Sequence, residues 1–150
     1  MRIMAIDYGD AHTGIAVSDP TGFLAGFTTV IDAYRPDIAA ERIALLAREH
    51  GAERLVLGHP INMDGTRGPR SEKAQAMRQL LEETTGLPVV LWDERRTTID
   101  AHQILFNSGK NAKKRKKVVD AVAASLILEG YLARIRQGDF RDGQAGEGRI

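Results

Sequence analysis

Residues 2–22 read RIMAIDYGDAHTGIAVSDPTG, and this stretch decides the fold. Residues 2–7 form a strand-like run that ends on an acid, Asp7, and stops at Tyr8-Gly9. A short polar loop leads into a second run at residues 14–18, GIAVS, after which Asp19-Pro20-Thr21-Gly22 is strong turn chemistry. A third run, FLAGFTTVI, follows at residues 23–31. Connections this short leave no room for helical crossovers, so the three runs are expected to pair as an antiparallel meander.

Downstream of the meander the hydrophobic period changes. Pro36 opens a segment with Ile38, Ile43, Leu45 and Leu46 at helical spacing, and Gly51 closes it. Residues 54–57, RLVL, make a short buried strand ending at Gly58, and residues 59–69 form a polar loop rich in Gly and Pro. A second helix is expected over residues 70–84, stopped by Gly86, before a fifth strand at residues 89–92, VVLW. Thr97, with Asp100 three residues on, reads as the N-cap of a helix to about residue 107. The basic run then precedes a last helix over residues 116–136. The helices before strands four and five make right-handed crossovers, which add those strands in parallel. The expected fold is α/β, a mixed five-stranded sheet with helices on both faces. Residues 1–137 form one domain, and the polar, Gly-rich residues 138–150 read as a flexible tail.

Composition narrows the class of function. With 150 residues, 43% hydrophobic and 27% charged, the chain suits one globular domain with a core of its own. Zero cysteines exclude disulfides, thiolate metal sites and cysteine nucleophiles. No apolar run approaches the ~20 residues of a membrane span, and the acid at Asp7 argues against a signal peptide. A cytoplasmic protein with no membrane partner is expected. The net charge of +1 conceals an asymmetry, because residues 110–117, KNAKKRKK, hold six of the 21 basic residues and no acid. The remaining 15 basic residues face 20 acidic ones, so the rest of the chain stands at about −5. A concentrated cationic segment of this kind usually contacts phosphate.

The candidate chemistry lies in acids at strand ends. Asp7 closes the first strand, and Asp93 and Glu94 close the fifth. The carboxyl ends of parallel strands line the ligand crevice of an open α/β sheet. Asp120 is the third candidate, in an otherwise apolar or small stretch whose Ala123 and Ala124 share its helical face. An acid on a close-packing face is costly unless a cation meets it. Carboxylates converging without histidine or cysteine suit Mg²⁺ or Mn²⁺, and beside a cationic segment they suit phosphodiester hydrolysis. Of Asp93 and Glu94, one ligates metal while the other caps the following helix or pairs with Arg95.

These residues carry a resemblance. Asp7-Tyr8-Gly9 followed by Gly14-Ile15-Ala16-Val17-Ser18-Asp19 resembles the opening signature of the YqgF (RuvX) family of RNase H-like nucleases. Gly58-His59-Pro60-Ile61-Asn62-Met63-Asp64-Gly65-Thr66 is similar to that family's loop motif, and Asp93-Glu94-Arg95 with Thr97-Thr98 is similar to its third motif. The basic residues before Asp120 match a fourth. The resemblance implies an RNase H-like fold and a hydrolase, an endo- or exonuclease that depends on Mg²⁺ or Mn²⁺. It implies Asp7, Glu94 and Asp120 as both catalytic residues and metal ligands. It further implies a role in ribosome biogenesis, maturing the 5′ end of precursor 16S ribosomal RNA. Resolution of Holliday-junction DNA, or non-catalytic nucleic-acid binding during ribosome assembly, are the alternatives. His12, Asn62 and Arg95 are candidate nucleic-acid contacts, together with Lys113, Lys114, Arg115, Lys116 and Lys117. The chain departs from the family at His12, where Arg is usual, at His59, where Leu is common, and at Arg96. The Asp7-x-Gly9…Gly14 hairpin also resembles the phosphate loop of actin-like ATPases and sugar kinases, but those need a second domain to enclose ATP. The four histidines show no zinc spacing and read as surface or helix polar residues, while Trp92 and Phe106 read as core.

Overall fold

The computed structural model describes residues 1–21, 25–60, 65–93 and 112–137, with backbone alone for residues 112–119. The described elements are β1 (Ile3–Asp7), β2 (His12–Ser18), β3 (Ala25–Asp32), α1 (Pro36–His50), β4 (Arg54–His59), α2 (Pro69–Thr85), β5 (Val89–Asp93) and α3 (Ala112–Arg136). The strands form one sheet in the order β3-β2-β1-β4-β5. β1 pairs antiparallel with β2, and β2 with β3, while β1–β4 and β4–β5 are parallel. This is the meander-then-crossover arrangement expected from the sequence. The helix expected over residues 97–107 and the tail at residues 138–150 lie outside the described residues.

Helix limits follow local chemistry. Both α1 and α2 begin with proline in the first turn, where its missing N–H costs no helical hydrogen bond. Both end on glycines in the left-handed region, Gly51 at φ +66° and Gly86 at φ +71°. No described helix is long and apolar enough to cross a membrane.

Two boundaries differ from expectation in ways that matter for the site. β2 starts at His12 rather than Gly14, because the β2–β3 ladder continues to the His12–Asp32 pair and Ala33 N–H donates to Ala11 O beyond it at 3.0 Å. The last helix starts at Ala112, so the basic run forms its first turns instead of preceding it.

The sheet divides the interior into two cores. On one face Met4, Ile6, Ile15, Leu55 and Leu57 pack with Ala40, Ile43, Met77 and Leu81 of α1 and α2. On the other, Ile3, Ala5, Ala16, Val56 and Trp92 pack with Ala124, Ile127, Leu128 and Tyr131 of α3. Alternation along each strand deals successive residues to opposite cores. Trp92 is core, as expected; its ring meets Tyr131 edge-on with centroids 6.4 Å apart. The buried Tyr131 hydroxyl accepts a hydrogen bond from Arg54 Nη1 at 2.6 Å, which fixes α3 to the start of β4.

Candidate functional site

The carboxyl ends of β1, β4 and β5 fall on one edge of the sheet because these strands run parallel. Asp7 ends β1 there, His59 ends β4, and Asp93 ends β5. Strand alternation decides which of them face one another. Ile3 and Ala5 belong to the α3-side core, so Asp7 shares that face. Its register partner on β2 is Gly14, two residues from Ala16 on the same face. A side chain at Gly14 would overlap the carbonyl oxygen of Asp120. Glycine therefore lets the α3 backbone settle directly onto β2 at the position opposite Asp7. The half-buried Asp7 and Asp120 are brought to one face by this contact.

Asp93 goes the other way. Val89 and Leu91 pack with the α1/α2 core, and Asp93 follows them onto that face as the register partner of His59. Asp93 thus lies on the face opposite the one that Asp7 shares. Glu94 and Arg95 lie outside the described residues, as does Asn62. Among the described residues no group of three or more His, Asp or Glu side chains stands together.

A cleft of about 250 Å³ opens beside Asp120, walled by Tyr8, Gly9, His12, Arg70, Lys73 and Asp120 among others. Asp7 immediately precedes that wall in the chain. Arg70 and Lys73 come from the first turns of α2, and the motifs of the sequence pointed to neither. Their signal in the sequence is two cations three residues apart, after Gly68-Pro69, on one side of a helix start. Lys73 Nζ bonds Asp10 Oδ1 at 2.9 Å, which holds that exposed carboxyl below its usual range. The Tyr8 phenol is raised by burial and by the Asp10 charge.

His12 reaches the cleft from β2, and its Nδ1 lies 2.6 Å from Asp32 Oδ1. The carboxylate at its ring is thus the one across the β2–β3 ladder. His59 is not the surface residue expected. It is buried, and its Nε2 shares a hydrogen bond with Ser71 Oγ at 2.6 Å. Burial first, and the Arg67 charge second, lower its pKa from 6.5, against the opposing pull of Asp93. Lys113, Lys114, Arg115, Lys116 and Lys117 occupy the first turns of α3, the helix that carries Asp120.

A family model described as RuvX, Holliday junction resolvase, matches residues 1–134. A Bacillus pumilus protein named "Putative pre-16S rRNA nuclease" is 43% identical over 134 residues, covering 88% of this chain and 97% of the relative. A Listeria monocytogenes protein of the same name is 45% identical with the same coverage. Among solved structures, Thermus thermophilus RuvC in complex with a Holliday junction substrate superposes with a TM-score of 0.59 at 14% identity, over 91% of this chain and 96% of that one. A Fowlpox virus resolvase bound to Holliday junction DNA superposes with a TM-score of 0.53 at 10% identity, over 93% and 99% of the two chains. These superpositions identify the mixed sheet and its flanking helices as an RNase H-like fold. With the family model spanning nearly all of the described domain, the chain belongs to the RuvX family.

Proposed function

We propose that this chain is a divalent-metal-dependent nuclease that hydrolyses phosphodiester bonds in structured nucleic acid in the cytoplasm. The observation that carries the reading is the close approach of the Asp120 backbone to Gly14, the register partner of Asp7, beside a cleft edged by Arg70, Lys73, His12 and Asp120. The donor set fits Mg²⁺ or Mn²⁺: two carboxylates on one face, from two different elements, with no described histidine or thiol joining them. Asp7, Asp120 and Glu94 would hold the metal. When bound, it supplies Lewis-acid stabilisation of the charge that develops on the phosphoryl oxygens.

The remaining work falls to the chain's own residues. Arg70 and Lys73 meet backbone phosphate at the cleft rim, Arg70 with a fork suited to two phosphate oxygens. His12, oriented by Asp32, presents a further donor toward the cleft. The cations at residues 113–117 extend the electropositive path along α3, and Asn62 and Arg95 complete the expected contacts. The names of the curated relatives favour precursor 16S ribosomal RNA as substrate, and the resemblance of the sequence motifs adds cleavage at its 5′ end to the proposal. The description of the family model favours four-way DNA junctions, the second reading.

The test is cleavage of precursor 16S RNA and of a four-way DNA junction by wild type and by Asp7→Asn. The substitution removes an anionic ligand while keeping the shape, so cleavage should be abolished with folding and nucleic-acid binding intact. Replacing Mg²⁺ by Ca²⁺ should preserve binding and stop turnover, because Ca²⁺ coordinates more loosely. Cleavage at the wild-type rate by Asp7→Asn would refute the assignment.

A further inference from the structure

A second cavity of about 480 Å³ adjoins the carboxylate cleft, and its character is different. Its walls are mostly apolar: Pro36 at the start of α1, and Ala76, Met77 and Leu80 along α2. Two tyrosines bound it. The Tyr8 ring is half-buried and packs against the α1/α2 core, a fixed wall. Tyr34, in the turn between β3 and α1, is 82% exposed, the most exposed of the large hydrophobic side chains among the described residues. Tyr8, Asp10 and Lys73 line both cavities, so the two adjoin along these side chains.

We infer that this cavity is a nucleobase subsite, which takes one unpaired base next to the scissile phosphate by stacking it against Tyr34. The inference rests on the nuclease reading and specifies its substrate. Three observations select this occupant. The volume lies within the range of about 300–1,000 Å³ typical of small-ligand pockets. Apolar walls with an exposed aromatic ring suit a flat heterocycle, and such stacking is indifferent to which base is present. The cation at the junction of the two cavities is Lys73, paired with Asp10 through a contact whose side chains are 56% and 80% exposed. Exposed pairs of this kind are weakly held, so a nucleotide's own phosphate can take Lys73 while its base enters the cavity. A base inside a duplex is stacked on both faces and cannot enter. The subsite therefore selects single-stranded ends, bulges and branch points over continuous duplex.

The experiment measures binding of the full chain, with Ca²⁺ in the buffer, to a hairpin RNA carrying a single-stranded extension. A matched set places one abasic nucleotide at each extension position in turn. In wild type, loss of the base at one position should weaken binding about tenfold, the effect of one stacked base. Tyr34→Ala should bring the ratio of intact to abasic affinity at that position close to one, while Tyr34→Trp keeps it. An exposed turn residue tolerates both changes, and circular dichroism checks that each variant folds. Equal affinity of wild type for every probe, or an undiminished ratio in Tyr34→Ala, would overturn the subsite and leave the nuclease reading standing. Failure of wild type to bind any RNA, or a four-way DNA junction offered alongside, would overturn both. Cleavage by Asp7→Asn with the base-dependent ratio intact would overturn the catalytic assignment alone.

Discussion

His59 shows how one buried side chain couples stability to pH. Its imidazole ends β4 in the α2-side core and bonds Ser71, twelve residues later in the chain. Burial lowers its folded pKa below the ordinary 6.5, so the unfolded chain takes up a proton more readily than the folded one. Below pH ~6.5 the unfolded state then binds more protons, and stability falls as pH drops toward the folded value. Above pH ~6.5 both states are neutral and the contribution is complete. The urea midpoint of wild type should therefore decline from pH 7.5 to 5.5, and His59→Leu should flatten that decline. Parallel curves for the two proteins would show that His59 stays solvated. Ser71→Ala should cost about 1–3 kcal/mol at neutral pH, because it leaves a buried ring nitrogen without its partner. None of this was readable from residues 58–60. A histidine between glycine and proline reads as loop, and its burial comes from a helix start far along the chain.

At the scale of elements, the contact between β2 and α3 is what assembles the candidate site. Gly14 removes the side chain that would hold Asp120 away, and the small residues Ala123 and Ala124 continue the close approach. The sequence showed half of this, since Ala123 and Ala124 marked a close-packing helical face and Asp120 stood on it. It did not show which strand the helix would meet, because register is set by pairing over the whole sheet. Gly14→Ala tests the contact. The new methyl would strike a backbone oxygen that cannot rotate aside, so the change should destabilise by about 1–3 kcal/mol or more. It should also push Asp120 away from Asp7 and lower cleavage further than the reduced stability explains. Gly130→Ala is the control, since its methyl would approach the Trp92 ring to 2.8 Å on the same helix, roughly 15 Å from Asp120 at 1.5 Å rise per residue. Both variants should lose thermal stability, but Gly130→Ala should keep the larger share of its activity when assayed well below its melting temperature. Equal losses of activity in the two would mean that the Gly14 contact only stabilises.

Across the whole molecule, the order of strands and the two-faced sheet were legible because they follow from connection lengths and crossover handedness. The division of functional residues between the faces was not, since a single step along a strand sends a side chain to the opposite core. That step separates Asp93 from Asp7 and Asp120. The distribution of charge was legible at once, yet its structural setting was not: the cationic run was expected to precede the last helix, and it forms that helix's first turns. This placement sharpens its meaning. The first turn of α3 contains no acid, and each cation near a helix N-terminus opposes the macrodipole by about 0.3–1 kcal/mol when exposed. The arrangement costs local stability, and a polyanion laid along α3 would offset that cost. Replacing Lys113, Lys114, Arg115 and Lys116 together by Gln should therefore move two measurements in opposite directions. The thermal midpoint of the free protein should hold or rise, because repulsion at the helix start is relieved. Affinity for nucleic acid of any sequence should fall, and the dependence of log affinity on log salt should flatten by roughly 0.7–0.9 for each phosphate that the variant no longer neutralises. An unchanged salt slope would show that the run is a solvated helix start, and a lowered midpoint would show that its cations stabilise the fold through partners within the chain.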